Sequence, residues 1–330
     1  MAGQRKRIRP NAKYDMQKEY LEAAFNQFIR EKEVQGRVKE TLVAYRVAYE
    51  RFCKYFGDSV EYCGDIAVGL FTDWTLAMRK EGLSTATINH NLGCMRAFIY
   101  WCMDSGRKYI DEQFKIRLVK AQETPPKDYT IDEVKALLRK PKNKAKFTEW
   151  RNYAICNFVI GTGARLGTLV AIRIQDIDLK NGTVFYQHTK NKKLQIANLS
   201  PQLVKILNDY ITMWRYDVED DDYLFCNVSG EQLTKAGLTQ SYREYTHSRG
   251  VNKTNIHGLR HTFAREWYLN GGDVVQLSKV LGHSTIVMSE HYMNIYANSN
   301  KEKFNLCNPL ENLSRSGATK KVRRKTDDED

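Results

Sequence analysis

His257-Gly258-Leu259-Arg260 sets an imidazole and a guanidinium three residues apart. At helical pitch the two side chains share a face, while Leu259, Phe263 and Trp267 fall on another that can be buried. Both polar groups are therefore expected to project together from a packed helix. Alone, an H-x-x-R is most simply an ordinary surface pair, but here it has company. His283, in Leu281-Gly282-His283, follows Arg260 by 23 positions, and Tyr292 follows His283 by nine. Upstream lie Arg165, two residues after Gly163, and Lys190, in the turn of an expected β-hairpin. Histidine exchanges protons near neutral pH, tyrosine can attack as a nucleophile, and arginine binds anionic oxygens with a planar fork.

In types and order these residues resemble the tyrosine recombinase, or phage integrase, family. The matching stretches are TGARLGTLVAIRIQDIDL at 162–179, HTKNKKLQIANLS at 188–200, and NIHGLRHTFAREWYLNGGDVVQLSKVLGHSTIVMSEHYMNIY at 255–296. They span most of residues 126–300. The resemblance implies site-specific DNA recombination, in which strands are cut and rejoined through a covalent 3′-phosphotyrosyl intermediate. It implies that Arg165 and Arg260 clamp the scissile phosphate and that Lys190 is a mobile lysine on the hairpin. His257 and His283 would be the active-site histidines, and Tyr292 the nucleophile.

The chemistry of the side chains is consistent with those roles. A phosphodiester under in-line attack gains charge on its non-bridging oxygens, and two guanidiniums can bind them bidentately without a metal. A tyrosine hydroxyl has a pKa near 10, so it needs an acceptor such as His257, while the leaving 5′ oxygen needs a proton, which Lys190 can deliver. His283 would hydrogen-bond a non-bridging oxygen or steady the tyrosine helix. A phosphotyrosyl ester retains the free energy of the broken linkage, so no nucleotide is required, and the chain has no G-x-x-x-x-G-K-[ST] to bind one. No cofactor and no metal are expected.

Some neighbours invite other readings. Many relatives carry an acidic residue three positions after the first arginine, where this chain has Thr168; Asp176 and Asp178 are the nearby carboxylates. Tyr296, one turn after Tyr292, reads as packing. His261 with His257 makes an i, i+4 pair that could ligate metal, but no further ligand accompanies it. His291 projects about 100° away around the helix from Tyr292. Lys192 and Lys193 are read as backbone-phosphate contacts beside Lys190.

Positioning such a set needs a sizeable scaffold, and 330 residues suggest about two domains. The formal net charge of +13 points to a polyanionic partner. No run of about 18 apolar residues is present for a membrane span, nor is a secretory signal, so a cytoplasmic protein acting on DNA is expected. Seven cysteines at 53, 63, 94, 102, 156, 226 and 307 form no C-x-x-C pair and read as inert thiols. Residues 1–13 read as a basic arm, and 14–123 as an all-helical DNA-binding domain with four stretches of helical periodicity. Tyr45, Tyr49, Phe52 and Trp74 sit at core spacing within it.

Residues 124–129, with Pro125-Pro126, read as a linker, 130–313 as a catalytic domain, and 314–330 as a disordered tail. The expected fold is mainly α in two domains, the second carrying a small three-stranded antiparallel sheet. Its strands are predicted at Asp176–Leu179, Thr183–His188 and Leu194–Leu199, with Asn181-Gly182 as the first turn. Helices are predicted at Trp150–Ile160, through Leu169 and Ile172, and at Pro201–Trp214, Leu233–His247, Leu259–Tyr268, Val274–Leu281 and Val287–Tyr296. The partner implied by the resemblance is double-stranded DNA with a specific core-type site, gripped by a C-shaped clamp. A homotetramer on two sites is expected, with Phe304, Leu306, Leu310 and Leu313 docking on a neighbouring protomer or on their own domain. Accessory DNA-bending or directionality proteins are compatible with that assembly. The other functions weighed are relaxation of the type IB topoisomerase kind and non-catalytic DNA binding.

Overall fold

The computed structural model describes residues 19–104, 106–121, 127–142, 144–187, 195–283, 285 and 290. The chain divides into two compact units, Met1–Glu123 and Thr124–Asp330. Unit 1 contains helices α1 (Leu21–Val34), α2 (Lys39–Phe56), α3 (Val68–Lys80) and α4 (Thr85–Cys102). They correspond to the four periodic stretches. Their core is aromatic: Phe25 stacks on Tyr49 with ring centroids 3.8 Å apart, and Phe52 meets Trp74 edge-on at 5.3 Å. These rings are therefore packing groups, Phe52 and Trp74 fully buried and Tyr45 and Tyr49 partly so.

Unit 2 is built around α6 (Phe147–Thr162), which follows the short α5 (Ile131–Leu137). The α6 helix is buried on nearly every side, from Trp150 through Val159, because α8 (Pro201–Trp214), α9 (Lys235–Ser248) and α10 (Ile256–Leu269) all pack against it. Two of its buried polar side chains reach across to neighbouring elements: the Arg151 guanidinium donates to Cys226 O at 2.8 Å, and Asn152 Nδ2 to Ser241 O at 3.1 Å. The sheet has the order β1 (Ile177–Asp178), β2 (Thr183–Tyr186), β3 (Gln195–Asn198), all antiparallel, with Tyr186 opposite Gln195 at the end of the second hairpin nearest its connecting segment.

Capping chemistry fixes several helix starts as the sequence suggests. Thr130 and Glu133 form a capping box ahead of α5, and Ser200 caps α8, whose first residue is Pro201. The helix expected to run through Leu169 and Ile172 is a single turn, α7 (Leu166–Leu169). Val170 and Ile172 are buried in irregular chain, and Ile174–Asp176 forms a 3₁₀ turn rather than the start of a strand. Of the expected linker, residues 127–129 are stitched into unit 2. Tyr129 is fully buried, its amide donates to Thr262 Oγ1 at 2.8 Å, and Arg265 pairs with Asp128 at 2.5 Å. The α11 helix (Val274–Leu281) packs on α10 through Ala264, Leu277 and Leu281.

Candidate active site

Two helices stop at left-handed glycines, and their ends hold the arginines. The α6 helix terminates at Gly163 (φ +67°) and α11 at Gly282 (φ +60°). Neither position can take a side chain cheaply. A Cβ on Gly163 would lie 2.5 Å from Leu281 Cδ2 and 2.8 Å from Phe263 Cδ1, and one on Gly282 would lie 2.5 Å from Gln195 Oε1 and 3.3 Å from Arg165 Nη1. The glycines of the G-x-R and L-G-H sequences are thus explained by close approach as well as by backbone conformation.

The final carbonyls of α11 have no intrahelical partners, and each finds one elsewhere. Ser278 O accepts from His283 N at 3.0 Å and Lys279 O from Gly282 N at 3.0 Å, the paired bonds of a Schellman end. Val280 O accepts from Gln195 Nε2 at 2.6 Å, Leu281 O from Arg260 Nη2 at 2.8 Å, and Gly282 O from Arg165 Nη2 at 2.8 Å. Arg260 Nη1 also donates to Gly163 O at 2.6 Å, at the other helix end. Consecutive carbonyls, Leu281 and Gly282, therefore carry one guanidinium each. The negative ends of two helix dipoles face these cations, which favours holding charge here.

On α10, Asn255 caps the first turn by accepting from His257 N, and His257 lies one turn ahead of Arg260. The sequence pattern suggested two groups projecting outward; Arg260 is instead buried, at 3% exposure, because the ends of α6 and α11 close over it. Gly258 permits α10 to press on the segment before α5, since a Cβ there would lie 2.6 Å from Lys127 O. His257 and His261 meet edge to face, ring centroids 4.8 Å apart.

Electrostatics tie the groups into one site. Burial lowers the His257 pKa from 6.5 to about 4, with further contributions from His261, Arg260 and Arg165. Burial likewise lowers His283 to about 4, and Arg260, Arg165, His257 and His261 add to the shift. Burial also pulls the Arg165 guanidinium below its ordinary value. At neutral pH, then, two cations sit beside two neutral imidazoles able to accept protons. A site of this composition calls for an anion.

Four of the six expected site residues are thus brought together: Arg165, Arg260, His257 and His283. Lys190 and Tyr292 lie outside the described residues, as do Lys192, Lys193, His291, Tyr296, the 287–296 helix apart from Glu290, and the 300–313 segment. The carboxylates considered in place of an acid at Thr168 are engaged elsewhere. Asp176 accepts from Arg173 N at 2.9 Å and from the Gln187 amide, and Asp178 accepts from Asn181. Thr168 itself sits in the α7 turn, its amide bonded to Arg165 O at 2.9 Å. Backbone carbonyl oxygens thus serve in orienting both arginines. Gln195 was not singled out by sequence reasoning. It shares a strand face with buried Ala197 and Leu199, and a polar residue on that face was the available signal.

Residues 127–300 match the model of the phage integrase family. Among curated proteins, the chain is 25% identical over 261 residues to tyrosine recombinase XerC of Roseiflexus sp. (strain RS-1), covering 77% of this chain and 83% of that protein. It is 28% identical over 264 residues to tyrosine recombinase XerD of Listeria monocytogenes serotype 4b (strain F2365), covering 75% and 86%. Among solved structures, the Tn1549 transposon integrase in complex with transposon right end DNA shares the fold with a TM-score of 0.65 at 17% identity, covering 82% of this chain and 94% of that one. The XerH site-specific recombinase bound to a palindromic difH substrate does so with a TM-score of 0.63 at 21% identity, covering 76% and 75%.

Proposed function

The chain belongs to the phage integrase family, the tyrosine recombinases, and from that membership we propose how its own residues carry out site-specific DNA recombination. The observation that carries this reading is the pair of guanidiniums on the successive carbonyls of Leu281 and Gly282, beside the neutral imidazoles of His257 and His283. Arg165 and Arg260 bind the non-bridging oxygens of one scissile phosphate. Tyr292 attacks its phosphorus, the bond to the 5′ oxygen breaks, and a 3′-phosphotyrosyl ester forms. His257 accepts the tyrosine proton; burial is the main reason its pKa is low, and the phosphate's charge offsets the smaller share due to the arginines and so strengthens it as a base. Lys190 protonates the departing 5′ oxygen. His283 hydrogen-bonds the phosphate or steadies the tyrosine helix. A 5′ hydroxyl from a second strand then reverses these steps, with no cofactor, metal or nucleotide.

Unit 1 is proposed as the core-site DNA-binding domain, with the basic arm before it, and unit 2 as the catalytic domain. Four protomers on two duplex sites, with or without accessory proteins, form the working assembly, and its place is the cytoplasm. No helix among the described residues is long and apolar enough to cross a membrane.

The test uses duplexes selected from a random pool for tight binding, nicked near the bound site so that cleavage is trapped. Wild-type protein is expected to give a denaturation-resistant DNA adduct, and Tyr292→Phe none despite equal DNA binding. An undiminished adduct from Tyr292→Phe overturns the assignment of the nucleophile, and relaxation of supercoils without a defined site overturns recombination itself.

A further inference from the structure

The amide of Gln195 reaches from the first residue of β3 across to the end of α11, where Nε2 lies 2.6 Å from Val280 O and 3.2 Å from Lys279 O. Both acceptors are terminal carbonyls, and Val280 O has no amide of its own helix to receive. The donor requirement of two carbonyls fixes which end of the side-chain amide is nitrogen. The oxygen then falls over Gly282, in the space a Cβ would occupy and beside Arg165 Nη1. The next two carbonyls along, Leu281 O and Gly282 O, are those that hold Arg260 and Arg165. Gln195 also pairs with Tyr186 as the last described rung of the hairpin, five residues from Lys190.

We propose that Gln195 is a positioning residue for strand cleavage, fixing through the end of α11 the two carbonyls that aim Arg260 and Arg165 at the scissile phosphate. This rests on the functional reading above. The physical reason is local. Helix ends fray, and a guanidinium hung from a fraying carbonyl inherits its motion. With two hydrogen bonds from a strand anchored in the sheet, the end of α11 is fixed to a rigid element, and small losses of alignment at a reacting phosphate are costly. The same contact joins the base of the Lys190 hairpin to the turn that carries His283. One residue thus sets the spacing between the strand that leads to the proposed acid and the arginine clamp.

The test compares Gln195→Met, which keeps length and removes the donor, with Gln195→Glu, which puts an acceptor against two carbonyls. Single-turnover cleavage of the nicked duplex at saturating DNA is expected to fall about ten- to a hundredfold for Met, as loss of two ordinary hydrogen bonds implies, and further for Glu. DNA affinity should stay close to wild type, and the melting temperature should fall only by the few degrees that two hydrogen bonds are worth, leaving the protein folded at the assay temperature. On a duplex whose scissile linkage is a neutral methylphosphonate, which leans less on the guanidiniums, the Met variant's deficit should shrink several-fold. A deficit that is unchanged there, or one that matches a loss of folded protein, overturns the positioning role. Hydrogen exchange of residues 278–283 in the DNA-free protein gives a readout independent of recombination. Exchange about tenfold faster in Gln195→Met is expected. Unchanged protection overturns the anchoring even where cleavage is impaired, whereas faster exchange in a protein whose wild type makes no adduct faults the functional reading and not the anchor.

Discussion

Replacing Gly163 by alanine perturbs the point where α6, α10 and α11 meet. Its backbone sits at φ +67°, a conformation that costs an L side chain about 1–2 kcal/mol. The new methyl would lie 2.5 Å from Leu281 Cδ2 and 2.8 Å from Phe263 Cδ1, and forcing a methyl into a packed site adds about 1–3 kcal/mol. Gly250 supplies the control within the same unit: its φ is +72°, and nothing lies within 4 Å of where a methyl would sit, so Gly250→Ala carries the backbone cost alone. For a domain of this size, each kcal/mol lowers the melting temperature by about 2–4 °C. Thermal unfolding should therefore place Gly163→Ala below Gly250→Ala by about 2–12 °C. Because Gly163 O also receives Arg260 Nη1, cleavage by the folded fraction should fall in Gly163→Ala and hold in Gly250→Ala. Equal melting temperatures for the two variants would refute the close packing on which this reasoning depends.

Arg260→Lys keeps the charge but cannot reach Gly163 O and Leu281 O while also presenting two parallel donors, so cleavage should drop by roughly 10³ with DNA binding retained; near-normal single-turnover rates would contradict the bidentate role. His257 and His283 are held at about 4 when folded against 6.5 unfolded, so between those values the unfolded chain binds more protons. Stability is therefore level above pH 6.5 and falls as the pH drops toward 4, and His257→Gln should flatten part of that fall in melting temperature measured against pH. A wild-type profile flat over this window would contradict the burial of both rings.

Much of this architecture is legible in the residues. Pro201 after Ser200, and Val274–Leu281 between Asp273 and Gly282, carry their own start and stop signals, and both helices have the bounds the sequence suggests. Around α7 the signals fail. Leu169, Val170 and Ile172 are buried whether the chain is helical or irregular, so apolar spacing does not separate the two. The burial of Arg260 was hidden for a different reason. Periodicity assigns its face on α10 but is silent about Gly163 and Leu281, 97 and 21 positions distant, whose carbonyls enclose it. Gln195 was hidden likewise, as a single polar residue whose partners lie 84 and 85 positions away.

In the proposed mechanism, one phosphate is held by Arg165 and Arg260 while Tyr292 attacks it. Mass-spectrometric mapping of the trapped adduct tests it most directly, read on wild-type protein and on Arg165→Ala and Arg260→Ala. The nucleotide should be found on the Tyr292 peptide in the wild type and be lost by orders of magnitude in both arginine variants. An adduct on Tyr296 or any other residue, or one whose yield is indifferent to both arginines, would contradict the account.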